Sequence, residues 1–265
     1  MFNFIQADLF RLFHKKSNYF YYGVLYALFF ILAIFLYSTF AENGENFTDG
    51  YMQMGLFLLA QTFPIFFGLQ AYSTVYLNEL SSNSYQNIFS SGLSKVEFVI
   101  GKFIVMVTYL CATFLSGAVA YLVPYGVMTV IEGTTFDTTG FINLVNTSLT
   151  IFLGMIAYAS LANIIAYFSQ NNTIAIITFG ALISTVSLTI LNMVSLVTDK
   201  FEFLREFTLS YYIQKANNTV SLTLLEQTEK IDVPYEAWGV ALIYLFIASL
   251  IGIIILNKIE IKEGK

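Results

Sequence analysis

Charged residues divide this chain into stretches too long and too apolar for a soluble fold. Between Lys16 and Glu42 lie 25 uncharged residues, between Asp49 and Glu79 there are 29, between Lys102 and Glu132 another 29, and between Glu236 and Lys258 there are 21. A helix crosses the hydrocarbon of a bilayer with about 20 predominantly apolar residues, so each gap holds one crossing. The gap from Asp137 to Asp199 is 61 residues. That is roughly 90 Å of helix at a rise of about 1.5 Å, and it must double back once. Ser169-Gln170-Asn171-Asn172, polar within an apolar run, supplies the turn. The spacing predicts six transmembrane helices, near 17–40, 51–76, 100–125, 141–168, 173–197 and 237–257. The runs lack the alternation of a membrane β-barrel. The expected fold class is therefore an all-α polytopic membrane protein, one transmembrane domain over residues 1–265.

Composition agrees: 57% of residues are hydrophobic and 11% charged, against roughly 25% charged in soluble domains. One cysteine, Cys111, permits neither an internal disulfide nor a zinc site of cysteine pairs, and one histidine, His14, permits no histidine metal cluster. The formal charge of −5 does not suit a nucleic-acid partner, and it is sorted by position. The side carrying both termini holds eight of the twelve basic residues, among them Arg11, Lys15, Lys95, Lys102 and Lys258, for a balance of +3. The opposite side stands at −8. Excess positive charge marks the cytoplasmic face, so both termini are expected there, in a bacterial plasma membrane.

Three segments lie outside the spans. Residues 1–16 read as an interfacial amphipathic helix rather than a cleaved leader, with Phe2, Ile5, Leu9, Leu12 and Phe13 toward lipid and Asp8, Arg11 and Lys15 toward water. The cytoplasmic loop between spans two and three carries helix punctuation. A short helix from about Glu79 ends at Gly92, and Ser94-Lys95-Val96-Glu97 has capping-box spacing that starts the next. Residues 198–236 carry eleven charges and do not span. Leu204, Phe207 and Tyr211 within them predict an amphipathic segment at the outer leaflet.

Beyond Lys102 at the start of span three, no Asp, Glu, Lys, Arg or His lies inside a proposed span. Proton-coupled transporters keep such groups at membrane depth, so proton coupling through this chain is not expected. A Gly-x-x-x-x-Gly-Lys-Ser/Thr run is missing, which removes P-loop ATP binding, and no catalytic, cofactor or metal-binding set stands out. The uncharged polar residues Gln61, Gln70 and Asn163 either line a translocation path or bond helix to helix. Pro64 is expected to free backbone groups and bend span two.

The layout resembles permeases of the ABC-2 type: an amphipathic N-terminal helix, six spans, a short helix between spans two and three, and a long segment between spans five and six. Glu79, Ser90-Ser91-Gly92-Leu93-Ser94 and Gly101-Lys102 match a loose motif of an acid, a Ser/Gly-rich stretch and a Lys at the start of span three. Within that family the size and the Phe/Ile/Asn/Tyr bias resemble Gram-positive permeases for bacteriocin or lantibiotic immunity, or for peptide-toxin export. The resemblance implies a non-enzymatic permease subunit, dimeric with itself or a sister permease. Two cytoplasmic ABC ATPase subunits would then bind and hydrolyse ATP-Mg, and the cargo would be an amphipathic or hydrophobic peptide. A non-transporting membrane sensor or scaffold is the alternative. An ATPase moves by changing shape, and only the 79–92 loop pairs a helix-forming length with apolar anchors. Tyr85, Ile88 and Phe89 are the expected coupling anchors, with Glu79 fixing the helix start. The charge sorting predicts that, in a Cys111→Ala background, a cysteine at position 95 stays unlabelled by an impermeant thiol reagent on intact cells. Labelling there would overturn the topology.

Overall fold

The computed structural model describes residues 1–43, 47–48, 50–52, 55, 63–77, 88–90, 92–184, 186–197, 202–215 and 234–258. The regular structure among them is helical. Helix α1 (Phe2–Phe13) leads directly into α2 (Lys16–Asn43). Residues 64–77 form α3, in which wide π-helical turns at Pro64–Gly68 and Ser73–Leu77 flank one α-helical turn, Leu69–Tyr72. There follow α4 (Lys95–Glu132), α5 (Thr138–Ser169), α6 (Asn172–Ile183), α7 (Val186–Val197), α8 (Glu202–Glu206) and α9 (Tyr235–Lys258). Helices α2, α4, α5 and α9 are each long and apolar enough to cross a membrane, and α6 with α7 makes a fifth if the bent pair is one span. The second expected run, 51–76, is described over 63–76 and in fragments nearer its start.

Local signals account for most of the boundaries. Ser94 Oγ accepts the Glu97 N–H at 3.2 Å while the Glu97 carboxylate accepts the Ser94 N–H at 3.1 Å, closing the expected capping box. Donation from the backbone N–H and then the hydroxyl of Ser94 holds the Glu97 carboxyl below the usual range. Gly92 stands at φ +93, a left-handed position that a side chain would strain, with its N–H on the Phe89 carbonyl at 3.0 Å. The fold-back is equally local. Gln170 takes φ 51, and Asn171 Oδ1 caps α6 by accepting from Thr173 N–H at 2.9 Å and Ile174 N–H at 3.3 Å.

Helix α4 contains the expected 100–125 span and runs past it at both ends: its 38 residues reach about 57 Å, nearly twice the roughly 30 Å of hydrocarbon. Two expectations need correction. The single helix expected over 173–197 is broken, its two parts, Asn172–Ile183 and Leu188–Val194, diverging by 65°. Ser184 ends the first part, its hydroxyl donating to the Ala181 carbonyl at 3.2 Å, a local bond that competes with helical continuation. The amphipathic register expected across 204–211 is interrupted at Thr208, whose hydroxyl donates to the Arg205 carbonyl at 2.7 Å and accepts the Tyr211 N–H at 3.3 Å. Phe207 is left 66% exposed, while Leu209 and Ser210 are buried.

That second turn drops the segment into the bundle. Lys215 pairs with Glu236 at the start of α9 at 2.8 Å. Tyr244, about 12 Å further along α9 at 1.5 Å per residue, donates to the Phe207 carbonyl. Tyr158 of α5 hydrogen-bonds Ser210 at 2.7 Å. Helix α9 itself lies along α5, burying the small residues Ala237, Ala241, Ala248 and Gly252. Small side chains let two membrane helices approach closely enough for dispersion to hold them. Trp238 adds a hydrogen bond to Thr150 at 2.8 Å.

At the end of the bundle away from α1, Glu132 closes α4 against the chain before the second span. Its carboxylate accepts from Phe47 N–H at 2.9 Å, Thr48 N–H at 3.3 Å and the Thr48 hydroxyl at 2.9 Å. Glu132→Ala strands these donors and is expected to lower stability by about 2 kcal/mol, read as a reduced unfolding midpoint in detergent; an unchanged midpoint would refute this role.

A candidate functional site where the N-terminal helix seats on the foot of helix four

Lys102 lies two turns into α4, where an unpaired ammonium would be strongly disfavoured. Its Nζ meets Asp8 Oδ2 of α1 at 2.6 Å, with side chains only 1% and 3% exposed. The same ammonium donates to the Val75 carbonyl at 3.0 Å, in the second π-turn of α3. The rings of Phe4 and Phe98 stand 5.6 and 6.0 Å from it. Arg11, half exposed, approaches Asp8 Oδ1 at 2.6 Å and gives the carboxylate a second cation. Gly101 makes this approach possible, since a Cβ there would meet the Phe4 ring at 2.9 Å.

The expected orientation of α1 is thereby corrected. Asp8 does not face water with Lys15; together with Ile5 and Leu12 it is buried against the protein. Phe2 and Phe10 instead point outward, 69% and 65% exposed. A helix read in isolation turns its acid to water, but a buried lysine on its neighbour rotates the acid inward.

A second polar chain continues from α1. Asn18 Nδ2 donates to the Leu12 carbonyl at 3.0 Å, and its Oδ1 accepts from Gln70 Nε2 at 3.2 Å. Gln70 Oε1 accepts from Tyr22 at 2.6 Å, with the Tyr109 hydroxyl at 3.5 Å. Gln70 thus connects α2, α3 and α4 by interhelical bonds. Asn163 is buried in α5. Its Oδ1 has no hydrogen-bond partner, and Asn163 borders a small space of about 20 Å³ together with Tyr167 and Ser249. Gln61, Glu79 and Tyr85 lie outside the described residues. Ile88 and Phe89 are half-buried on a cluster of Phe98, Val99 and Tyr167, with the Phe89 and Phe98 rings 5.2 Å apart. Lys95 donates to the Leu256 carbonyl at 2.7 Å, placing a cation at the end of α9 where the helix dipole favours it.

Sequence reasoning missed the Asp8–Lys102 pair. Its one advance signal was a lysine set inside the apolar boundary of span three, next to a glycine. Its partner, 94 residues earlier, carried none.

The long apolar helices, the N-terminal helix seated on their base and the polar bonds between spans mark a multi-pass membrane protein. The family model for the ABC-2 family transporter protein matches residues 13–192, and the chain belongs to that family. No curated protein and no solved structure gives a significant match. Members of the family are transmembrane permeases that work with cytoplasmic ATPase subunits and dimerise, so this chain is the membrane permease subunit of an ABC transporter. The matched stretch contains Lys102 but starts after Asp8.

Removing one member of a buried ion pair leaves the other charge uncompensated, at a typical cost of about 3–5 kcal/mol. Lys102→Met and Asp8→Leu are each expected to lower the unfolding midpoint and to accelerate amide exchange in α1. The double variant should recover most of the loss, because both buried charges are gone. A double variant no better than the worse single would show that the pair contributes little.

Proposed function

We propose that this permease moves an amphipathic or hydrophobic cargo, an antimicrobial or toxin peptide, out of the cell or membrane, driven by two ATPase subunits bound at the α1 end of a permease dimer. That end is cytoplasmic in this reading, consistent with the +3 balance of its charges. The cargo class is supported by the resemblance in size and residue bias to Gram-positive peptide exporters.

The observation that carries the reading is the convergence at the foot of α4. Phe89, at the end of the 79–92 loop, packs on Phe98; Lys95 holds the end of α9; and Lys102 holds α1 and a carbonyl of α3. A displacement of the loop by an ATPase has a rigid element to push and three others attached to it. Mechanical coupling requires such a contiguous packed path. Glu79, Tyr85, Ile88 and Phe89 are the proposed contact residues of that loop, and Gln61 and Asn163 the proposed polar positions of the path. Gln70, already satisfied between helices, serves the reading better as the brace that holds the path's wall.

Losing an aromatic anchor at an interface costs about 2 kcal/mol or more, roughly thirtyfold in affinity. Phe89→Ala is expected to insert normally while losing ATPase co-purification and cargo-stimulated hydrolysis. A mutant that keeps both, alongside a Phe2→Ala/Phe10→Ala variant that loses them, would move the docking surface to the outward face of α1. Transport by the purified permease alone on a proton gradient would refute the energy source.

A further inference from the structure

The elbow between α1 and α2 carries His14, Lys15 and Lys16 in succession, all exposed. Basic side chains at the end of a helix usually turn back onto its last carbonyls, but here those carbonyls are taken. The Phe10 carbonyl accepts from the His14 N–H at 3.0 Å and from its Nδ1 at 2.9 Å. The Leu12 carbonyl accepts from the Lys15 N–H at 3.4 Å and from Asn18 Nδ2 at 3.0 Å, and the Phe13 carbonyl from the Tyr19 hydroxyl. The acids at this end are occupied as well. Asp8 holds Lys102 and Arg11, while Glu97 caps α4 and has the Met1 amino group at 3.7 Å. Among the described residues, neither Lys15 nor Lys16 pairs with an acid.

The surroundings of these two cations are apolar and open. Phe10, Phe13 and Tyr19 are exposed on either side of the elbow. Phe20, 76% exposed, lies one turn beyond Lys16 on the same face of α2. That face continues outward through Val24, Leu28 and Ile31, along the helix whose membrane-crossing stretch starts at Lys16. Lysine and tyrosine at the start of a crossing helix sit at headgroup level, with their apolar stems toward the hydrocarbon. Two adjacent cations bordered by outward aromatic rings complement one kind of ligand, with an anionic head and an apolar tail. We propose that the α1–α2 elbow binds an anionic phospholipid, its phosphate within reach of the Lys15 and Lys16 ammonium groups and its acyl chains along Phe20 and Val24. The site rests on neither the cargo nor the ATPase reading.

A photoreactive p-benzoylphenylalanine, placed in the full chain at Phe20 or, for reference, at the exposed Phe246 of α9, provides the test. The protein is reconstituted in vesicles of equal phosphatidylglycerol and phosphatidylcholine, and the lipid adducts are counted by mass spectrometry after illumination. A lysine close to an anionic lipid surface contributes about fivefold in binding. The ratio of phosphatidylglycerol to phosphatidylcholine adducts is therefore expected to be about 25-fold higher at position 20 than at 246. Lys16→Gln should lower it about fivefold, and Lys15→Gln/Lys16→Gln should bring it to the reference value. Lys15→Arg/Lys16→Arg should preserve it, and an unchanged ratio at 246 reports intact insertion. Equal ratios at the two positions of the unsubstituted elbow, or an enrichment that survives the double glutamine variant, would overturn the proposal. So would adducts at position 20 formed with a second copy of the chain instead of lipid, or an unenriched ratio together with lost ATPase co-purification in the double variant, which would assign the lysines to a protein partner.

Discussion

Lys102 and Asp8 meet at 2.6 Å with almost no contact with solvent, and much of the organisation at that end of the bundle follows from their burial. Either charge alone in such a place costs several kcal/mol, while together, with a carbonyl and a second cation, they are tolerated. The pair therefore has little net stabilising value and a large directional one. It dictates which face α1 turns inward, at which height it sits on α4, and that Gly101 rather than a larger residue lies under Phe4. Once α1 is seated, its last carbonyls come within reach of Asn18, and through Asn18 of Gln70.

The same rule, that a polar group away from water must find a partner, explains the irregular third helix. A π-turn widens the backbone and leaves carbonyls that the helix does not use internally. Here the Phe66 carbonyl accepts from Tyr21 at 2.8 Å and the Val75 carbonyl accepts from Lys102 at 3.0 Å. Each wide turn is thus stitched to a neighbouring helix. Buried oxygens of Tyr72, Thr147, Ser148 and Asn163 stand outside this accounting, and Ser148 and Asn163 also border internal spaces.

The foot of α4 connects these local arrangements to movement. Loop, N-terminal helix, third helix and last helix all bond to residues 95–102, so none of them shifts without disturbing the start of a helix of 38 residues. At the other end of that helix, Glu132 grips the chain ahead of the second span.

What could be read along the chain was whatever depends on near neighbours or on the bilayer as solvent. The uncharged gaps gave the helical class and the positions of α2, α5 and α9, because hydrocarbon enforces helix on any long apolar run. The capping box at Ser94, the turn at Gly92 and the fold-back at Gln170–Asn171 were legible because their hydrogen bonds close within a few residues. The length of α4 was not, since the roughly 20 residues a crossing needs say nothing of how far a capped helix runs on beyond it. Nor was the break at Ser184, which apolar character does not report. Only the tertiary structure decided that Asp8 is buried and that Leu209 and Ser210 drop between α5 and α9. The physical reason is common to both: the side chain of one segment finds its solvent in another segment far along the chain, and no local pattern encodes which one.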